Sequence, residues 1–208
     1  MQIKDPEFIR TWLFGPGMPG AAQLAMGSCG SDALIVDLED STPAELRPQA
    51  RAGLPTLLLP WRDAGIITAV RINALESEGH DDLAAAMKAG AQVIVYPMAE
   101  TPDQIRALDI AITDWEAKLK LQTGSTSILP VCETALGVAD VRVIAAGSQR
   151  VRAALMGTED LASNLCAERT PEGDELDHAR RRFILECRAA RIEPIDAPHT
   201  YGDTLQSS

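Results

Sequence analysis

Seven short apolar runs, each followed by a segment with a helical pattern, constrain the fold of this 208-residue chain more than any other feature. A short apolar run bounded by turn residues is typical of a parallel strand that is covered on both faces. Strict alternation of such strands with helices predicts a parallel α/β sheet, either an open doubly wound sheet or a barrel. The predicted strands span residues 11–14, 33–36, 66–72, 93–96, 128–132, 151–156 and 192–196.

The segments between these runs carry helix signals. The clearest lies at 102–121, where the apolar residues form one stripe at helical spacing. That stripe consists of Ile105, Leu108, Ile112, Trp115 and Leu119. The region 43–64 is also helical in pattern, but Pro48, Pro55 and Pro60 predict that it is broken into shorter pieces. Further helices are predicted at 19–29, 81–89, 135–146, from 161 onward and at 175–190.

Two carboxylates stand where predicted strands end. The fifth strand ends on Glu133, and the sixth is followed by Gly157 and then by Asp160. Neighbouring strands of a sheet lie about 5 Å apart, so these two side chains would converge. A hard divalent cation such as Mg²⁺ relieves the repulsion between two such carboxylates. The sequence therefore predicts a metal site at Glu133 and Asp160, although two unrelated acids, one of them a helix cap, would give the same pattern.

Charged residues also follow the second and third strands. In the segment Asp37-Leu38-Glu39-Asp40, the alternation of a strand places Asp37 and Glu39 on one face. If that face lines a barrel, both carboxylates join the predicted metal site, but a helix cap or a solvated loop is an equal alternative. Arg71 ends the third strand and could bind a substrate carboxylate or polarise a carbonyl through two hydrogen bonds. The alternative for Arg71 is a structural ion pair with Asp37 or Glu39.

Two more positions are candidates for substrate contacts, and the histidines are not. Gly157 would let the loop after the sixth strand present backbone N–H groups to an anion. Arg10 would reach the same rim from the first strand. The three histidines, His80, His178 and His199, form no dyad or H-x-x-x-H pattern and are expected at the surface.

The distribution of these residues favours a barrel over an open sheet. They follow several different strands, and a barrel gathers strand ends from all around its rim into one site. An open sheet usually carries a phosphate-binding G-x-G-x-x-G loop, whereas the first strand runs into Gly15-Pro16-Gly17, which lacks that spacing. We therefore expect residues 1–208 to form a single TIM (β/α)₈-type barrel domain. Such a barrel typically needs about 250 residues, so the eighth strand is expected to be missing.

Composition excludes several classes of partner. The chain has 19 basic and 30 acidic residues and a formal net charge of −11, which argues against nucleic acid and anionic membranes. No apolar run reaches the length of a membrane span, and the first residues show no signal-peptide pattern. The four cysteines lack C-x-x-C spacing and are expected as thiols in a reducing cytoplasm. Cys132 precedes Glu133 in its strand and should therefore point to the opposite face.

Six segments in this order carry a family resemblance: TWLFGPG, ALIVDLEDSTPAELRPQAR, VRIN, VIVYPMAE, LPVCETALGV and ALMGTEDLA. Together they resemble the citrate lyase β-subunit-like family, the citryl-CoA and malyl-CoA lyases of the HpcH/HpaI aldolase superfamily. The resemblance implies a TIM barrel that cleaves or forms carbon–carbon bonds in 3-hydroxyacyl thioesters. It implies that Glu133 and Asp160 hold Mg²⁺ and that Arg71 contacts the oxo-acid. It further implies that Gly157 and its neighbours, including Glu159, bind the substrate carboxylate.

Other positions bear on which branch of the superfamily the chain resembles. The pyruvate aldolases of the superfamily carry a histidine where this chain has Asp40, which favours the thioester lyases. The family usually has a lysine, associated with the CoA phosphates, where Ala25 stands, and often another where Met98 stands. A metal-dependent aldolase acting on free hydroxy-acids without CoA is therefore one alternative. The substrate is expected to be a CoA thioester or a 2-oxo acid.

The end of the chain is the largest departure from the family pattern. The family continues through an eighth strand and C-terminal helices, and the resemblance implies that both are missing here. In the family these helices reach a neighbouring subunit and carry the candidate proton donor, so this donor is unassigned. A non-catalytic remnant that still binds Mg²⁺ and an oxo-acid is therefore a second alternative. We also expect a homo-oligomer, in which the unpaired edges of the sheet are covered.

Overall fold

The computed structural model describes residues 9–170 and 172–198, and its strands form one parallel sheet in chain order, β1 to β7. The strands are β1 (Trp12–Pro16), β2 (Ala33–Asp37), β3 (Ile67–Arg71), β4 (Val93–Tyr96), β5 (Ser127–Cys132), β6 (Ala153–Met156) and β7 (Glu193–Ile195). All seven predicted strands are therefore confirmed, with shifts of a few residues at their ends. The first strand continues through Gly15 and Pro16, where the sequence predicted a break.

Helices connect the strands. They are α1 (Ala21–Met26), α2 (Arg47–Asp63), α3 (Gly79–Ala89), α4 (Pro102–Leu119), α5 (Ala135–Ala139), α6 (Val141–Ala145), α7 (Thr158–Asn164) and α8 (Asp177–Ala190). Two short 3₁₀ helices, Ala44–Leu46 and Asp174–Leu176, precede α2 and α8. Among the helices that the structure describes, none combines the length and the apolar character that a membrane span requires.

Two apolar clusters lie on opposite faces of the sheet. Alternate residues of the strands, such as Ile35, Ala69 and Val131, point inward and form a lumen. The residues between them, such as Val36 and Val70, pack against the helices in a larger outer cluster. The two clusters are separate because successive side chains of a strand point to opposite faces, and in a curled sheet one face becomes the inside and the other the outside. Cys132 belongs to the outer cluster, which confirms the face predicted for it.

The sheet curls into a barrel that lacks one closing strand. Residues of β1, β6 and β7 line a common cavity of about 520 Å³, so the two edge strands approach each other across it. No strand in the described part of the chain pairs with the outer edge of β1 or β7. A TIM-type barrel one strand short is the fold that the sequence predicted, and residues 199–208, with His199, lie outside the described part.

Two helix predictions are wrong in detail. Helix α2 continues through Pro55 and Pro60 because both lie on its exposed side, where water can satisfy the carbonyl groups that proline leaves without a partner. Its opposite side is held by buried residues that include Leu54 and Trp61. The segment predicted as one helix at 135–146 is divided at Asp140, whose φ of −115° is not helical.

A buried ion pair joins α4 to the segment that leads into β6. The Arg150 guanidinium donates to both carboxylate oxygens of Glu116, at 2.9 and 2.7 Å, and to Asp109 Oδ1 at 2.5 Å. The Glu116 carboxylate is fully buried and also accepts the backbone N–H groups of Gly124 and Thr126. Burial by itself would raise the pKa of Glu116, but Arg150 and these N–H groups lower it to about 2.

Candidate active site

The alternation that builds the lumen also brings charged residues to its rim. Leu129 and Val131 of β5 point inward, and Glu133 is the next inward position after them. The same period places Asp37 at the end of β2, Arg71 at the end of β3 and Gly157 just beyond β6 on the inner face. Asp37 and Arg71 are direct partners in the strand register. The carboxyl ends of four strands therefore contribute to one rim.

Arg71 lies at the centre of a cluster of carboxylates. Its Nε and Nη2 donate to the two oxygens of Asp37, both at 2.7 Å. Its Nη1 lies 2.9 Å from Glu39 Oε2, and its Nη2 lies 3.2 Å from Asp40 Oδ2. Ion pairs with Asp37 and Glu39, which the sequence offered as an alternative to substrate binding, are thus present. The Phe14 ring lies 5.4 Å from the guanidinium carbon and covers one face of the group.

Asp37 organises the loop that follows β2. Its carboxylate accepts the backbone N–H groups of Glu39 and Ser41 at 3.0 and 2.9 Å. Thr42 Oγ1 donates to the Asp37 carbonyl and accepts the N–H of Gly17. Burial by itself would raise the pKa of Asp37, but the hydrogen bonds and the charge of Arg71 hold it below the usual value. Asp37 is therefore an ionised group that fixes both the loop and the direction of Arg71.

A further layer behind this loop supports it. Asn73 Nδ2 donates to the Leu38 carbonyl at 3.1 Å and to Asp82 Oδ2 at 2.7 Å. Asp82 is fully buried on α3 and also accepts the Asn73 N–H and the Nε of Arg51. These bonds connect the residues after β2 and β3 to the helical layer.

Glu133 is nearly fully buried at the end of β5. Its Oε1 accepts the backbone N–H of Met98 at 2.7 Å. Its Oε2 faces Gly157, and no donor in the described part of the chain bonds to it. A Cβ placed on Gly157 would lie 2.7 Å from the Glu133 Cβ and closer still to Oε2. The glycine therefore keeps open the space beside this oxygen.

The charges at the rim influence one another. Burial raises the pKa of Glu133 to about 7, and the charge of Asp160 adds to this effect. Burial raises the pKa of Glu39 to about 8 against the opposing charge of Arg71, and the charges of Asp40 and Glu133 act in the same direction as burial. One guanidinium is thus surrounded by more carboxylates than it can neutralise.

This arrangement fits a hard divalent cation. Mg²⁺ is usually bound by one or two carboxylates and keeps several waters, so it does not require a complete protein cage. Within the residues that the structure describes, no group of three or more acidic, histidine or cysteine side chains forms such a cage. Glu133 Oε2, with the open space beside Gly157, and the exposed carboxylate of Asp160 in the first turn of α7 supply the oxygens that such a site would use.

Two residues predicted to contact the substrate bind other residues in the structure. The prediction that Arg10 faces this rim is wrong, because Arg10 precedes β1 and its N–H binds Asp32 just before β2. Arg10 is therefore at the amino end of the strands. It lies six positions before Pro16, the residue that pairs with Asp37, and six residues of strand span about 20 Å. The Glu159 side chain pairs with Arg169, at 3.2 Å.

Three features of the rim escaped the sequence reasoning. The Phe14 ring could have been found from the inward period of β1, which also includes Trp12. No sequence pattern predicts the hydrogen bond from Met98 to Glu133, because its donor is a backbone N–H group. The bond from Thr134 Oγ1 to Glu100, at 2.7 Å, joins loops that are 34 residues apart in sequence.

Comparison with known proteins gives consistent results. Residues 10–206 match the family model described as HpcH/HpaI aldolase/citrate lyase. The chain is 34% identical to the citrate lyase subunit beta of Escherichia coli K12, over 96% of this chain and 67% of that protein. It is 29% identical to the L-malyl-CoA/beta-methylmalyl-CoA lyase of Cereibacter sphaeroides, over 93% of this chain and 67% of that protein.

A solved structure shows the same similarity in three dimensions. The citrate lyase beta subunit of Mycobacterium tuberculosis, complexed with oxaloacetate and magnesium, superposes with a TM-score of 0.72 at 27% identity. The match covers 91% of this chain and 78% of that one. The chain spans about two thirds of the length of the curated relatives that it matches.

Proposed function

The chain belongs to the HpcH/HpaI aldolase/citrate lyase family, and on that basis we propose that it cleaves a carbon–carbon bond in a 3-hydroxyacyl thioester with the help of Mg²⁺. The products would be a 2-oxo acid, such as oxaloacetate or glyoxylate, and an acyl-CoA. Relatives named for citrate and malyl-CoA cleavage, and a neighbour that holds oxaloacetate and magnesium, support this class of reaction.

The observation that carries the proposal is the juxtaposition of Glu133, Asp160 and Arg71 at the carboxyl ends of the strands. Arg71 ends β3, Glu133 directly follows β5, and Asp160 lies in the first turn of the helix after β6, so the three charges share one rim. Active sites of this type of barrel lie at that rim. We assign the metal ligands to Glu133 and Asp160, as the sequence predicted.

Each residue of the rim has a role in this proposal. Bound Mg²⁺ would supply a Lewis acid for the oxygen of the carbonyl group that forms on cleavage. Arg71 presents a fixed positive charge to the same oxygen, and Asp37 and Phe14 hold its plane in position. Met98 keeps the Glu133 carboxylate in one orientation through the bond to Oε1.

The substrate carboxylate would bind near Gly157. The N–H of Gly157 itself donates to the Cys132 carbonyl at 3.2 Å, so it takes no part in anion binding. The next N–H groups, at the start of α7, have no partner within the helix and are the donors that we assign to this carboxylate. Glu159 contributes here through its backbone, since its side chain pairs with Arg169.

A second candidate, an aldolase acting on free hydroxy-acids without CoA, is favoured by two exposed positions. Ala25 lies on the exposed α1, and the exposed Met98 lies beside Glu133, so neither provides a cation for phosphate groups. The two candidates share the metal and Arg71 and differ only in whether the CoA portion contributes to binding.

The test is a cleavage assay on the full chain with Mg²⁺. Citryl-, malyl- and citramalyl-CoA should release an oxo-acid, and Glu133→Gln and Asp160→Asn should each lower the rate at least 100-fold and abolish Mg²⁺ binding in calorimetry. The matched controls, Glu45→Gln and Asp63→Asn, remove the same charge at exposed positions and should leave both unchanged.

The outcomes separate the candidates. Cleavage of free hydroxy-acids, with no preference for the thioester, would favour the aldolase. Mg²⁺ binding without any cleavage would favour the non-catalytic alternative. Wild-type Mg²⁺ affinity in both rim variants would refute the metal assignment.

We also propose that the protein is cytoplasmic and forms a homo-oligomer. The four cysteines are free, which suits a reducing compartment. Within the described residues the outer edges of β1 and β7 have no partner strand, and unpaired edges promote association.

A further inference from the structure

An open cavity of about 690 Å³ lies at the end of the barrel opposite the candidate active site. It is formed where α6 and α8 end and where β6 and β7 begin. Its floor includes the buried side chains of Val151 and Ile192. Small residues, among them Ala146 and Ala189, leave the space above this floor open.

Three arginines surround this cavity: Arg142 from α6, Arg152 just before β6 and Arg191 just after α8. All three are exposed, and none has a side-chain hydrogen bond or an ion pair with any residue that the structure describes. Most other arginines of the chain are paired with carboxylates.

The charge at the cavity is opposite to that of the whole protein. The one acidic residue in its lining, Glu193, is already paired with Arg188 at 2.5 Å. The three free guanidinium groups thus leave a local charge of about +3 in a chain whose formal net charge is −11. The side-chain amide of Gln149, also at the cavity and without a hydrogen bond in the described part of the chain, adds a neutral donor.

Helix ends explain only part of this arrangement. Carbonyl groups at the C-terminus of a helix attract cations, which accounts for Arg142 in the last turn of α6 and for Arg191 at the end of α8. Arg152 lies on neither helix, yet it faces the same cavity. A planar guanidinium with several donors is the side chain best suited to phosphate and carboxylate groups.

We propose that this basal cavity binds a small polyanion, a molecule that carries several phosphate or carboxylate groups, at a site separate from the metal rim. The strands lie between the two sites, so a molecule in the cavity does not touch Glu133 or Asp160. A polar cavity lined by three arginines without a partner among the described residues, whose one carboxylate is already paired with Arg188, is the arrangement that such a ligand requires.

Calorimetry on the full chain without Mg²⁺ tests the proposal, with inorganic triphosphate and citrate as probes. We expect at least one of them to bind, and an increase in NaCl concentration should weaken binding because the arginines are exposed. The triple variant Arg142→Gln/Arg152→Gln/Arg191→Gln should weaken binding at least tenfold. Arg152→Gln alone should weaken it at least threefold. The stronger of the two probes tells whether the natural ligand is a phosphate or a carboxylate compound.

Two controls make the result specific. Arg181→Gln removes an exposed positive charge, paired with Asp177, away from the cavity and should change the affinity less than twofold. Glu133→Gln, at the rim, should leave probe binding intact. The proposal is overturned if neither probe binds at about 1 mM, the upper end of the usual range for metabolite sites. It is also overturned if the triple variant and Arg181→Gln bind the probe with equal affinity.

Discussion

Substitution of Gly157 by alanine tests how closely the rim is packed around Glu133. The φ of Gly157 is −97°, which any residue adopts, so an alanine here causes no backbone strain. Its Cβ would lie 2.7 Å from the Glu133 Cβ, whereas ordinary contacts begin at 3.4 Å. The Glu133 Cβ is fixed to the backbone of the chain leaving β5, so β5 and β6 must separate by several tenths of an ångström.

The magnitude follows from three contributions. Overpacking of this kind costs about 1–3 kcal/mol. The loss of the Met98 hydrogen bond to a charged carboxylate costs about 1.5–3 kcal/mol if Glu133 turns away. Reduced freedom of the unfolded chain returns about 0.4–1 kcal/mol. Together these contributions should lower the free energy of unfolding of Gly157→Ala by about 1.5–5.5 kcal/mol. We expect the Mg²⁺ affinity to fall at least tenfold, about 1.4 kcal/mol.

Urea unfolding and Mg²⁺ calorimetry on the same preparation measure both effects. Gly20→Ala is the control, because its new Cβ would meet only the end of the flexible Gln23 side chain and its φ of −164° is extended. It should change stability by less than about 1 kcal/mol and leave Mg²⁺ binding unchanged. Unchanged stability and Mg²⁺ affinity in Gly157→Ala would show that Glu133 and Gly157 do not pack together as described.

Three further predictions concern other parts of the molecule. Arg71→Lys keeps the charge but cannot bind both Asp37 oxygens with a planar group. The oxo-acid affinity measured by calorimetry should therefore fall at least tenfold, whereas near-normal affinity would limit Arg71 to a structural role. Arg150→Met leaves Glu116 buried without its partner and should lower the free energy of unfolding by about 3–5 kcal/mol. In the wild type, the pKa of Glu116 is lowered from 4.5 to about 2. Its contribution to stability is therefore present above pH 4.5 and is lost as the pH falls toward 2. Urea unfolding at several pH values should show this loss in the wild type and a smaller loss in the variant. Because the outer edges of β1 and β7 have no partner strand within the described residues, light scattering should detect an assembly larger than a monomer, and a monodisperse monomer would contradict this.

Sequence and structure agree best where a local period decides the outcome. The alternation of apolar runs with helical segments was sufficient for seven parallel strands, because each pattern is set by neighbours in the chain. The two-residue period also placed Asp37 and Glu39 on one face and Cys132 on the face opposite Glu133. The apolar runs that precede Arg71, Glu133 and Asp160 placed these residues at strand ends, so most of the candidate site was predicted from the sequence. Their roles in metal and substrate binding stay predictions.

Contacts between distant segments had to come from the tertiary structure. Arg71 is held by three carboxylates at once, and Gly157 packs against Glu133, because strands far apart in sequence end at one rim. Arg10 lies at the other end of the barrel, since the register of β1 rather than its composition sets its height. Helix α2 passes through Pro55 and Pro60 because tertiary packing of its buried side outweighs the local preference to break. The cavity with Arg142, Arg152 and Arg191 has no sequence signature, as its three cations come from three separate elements.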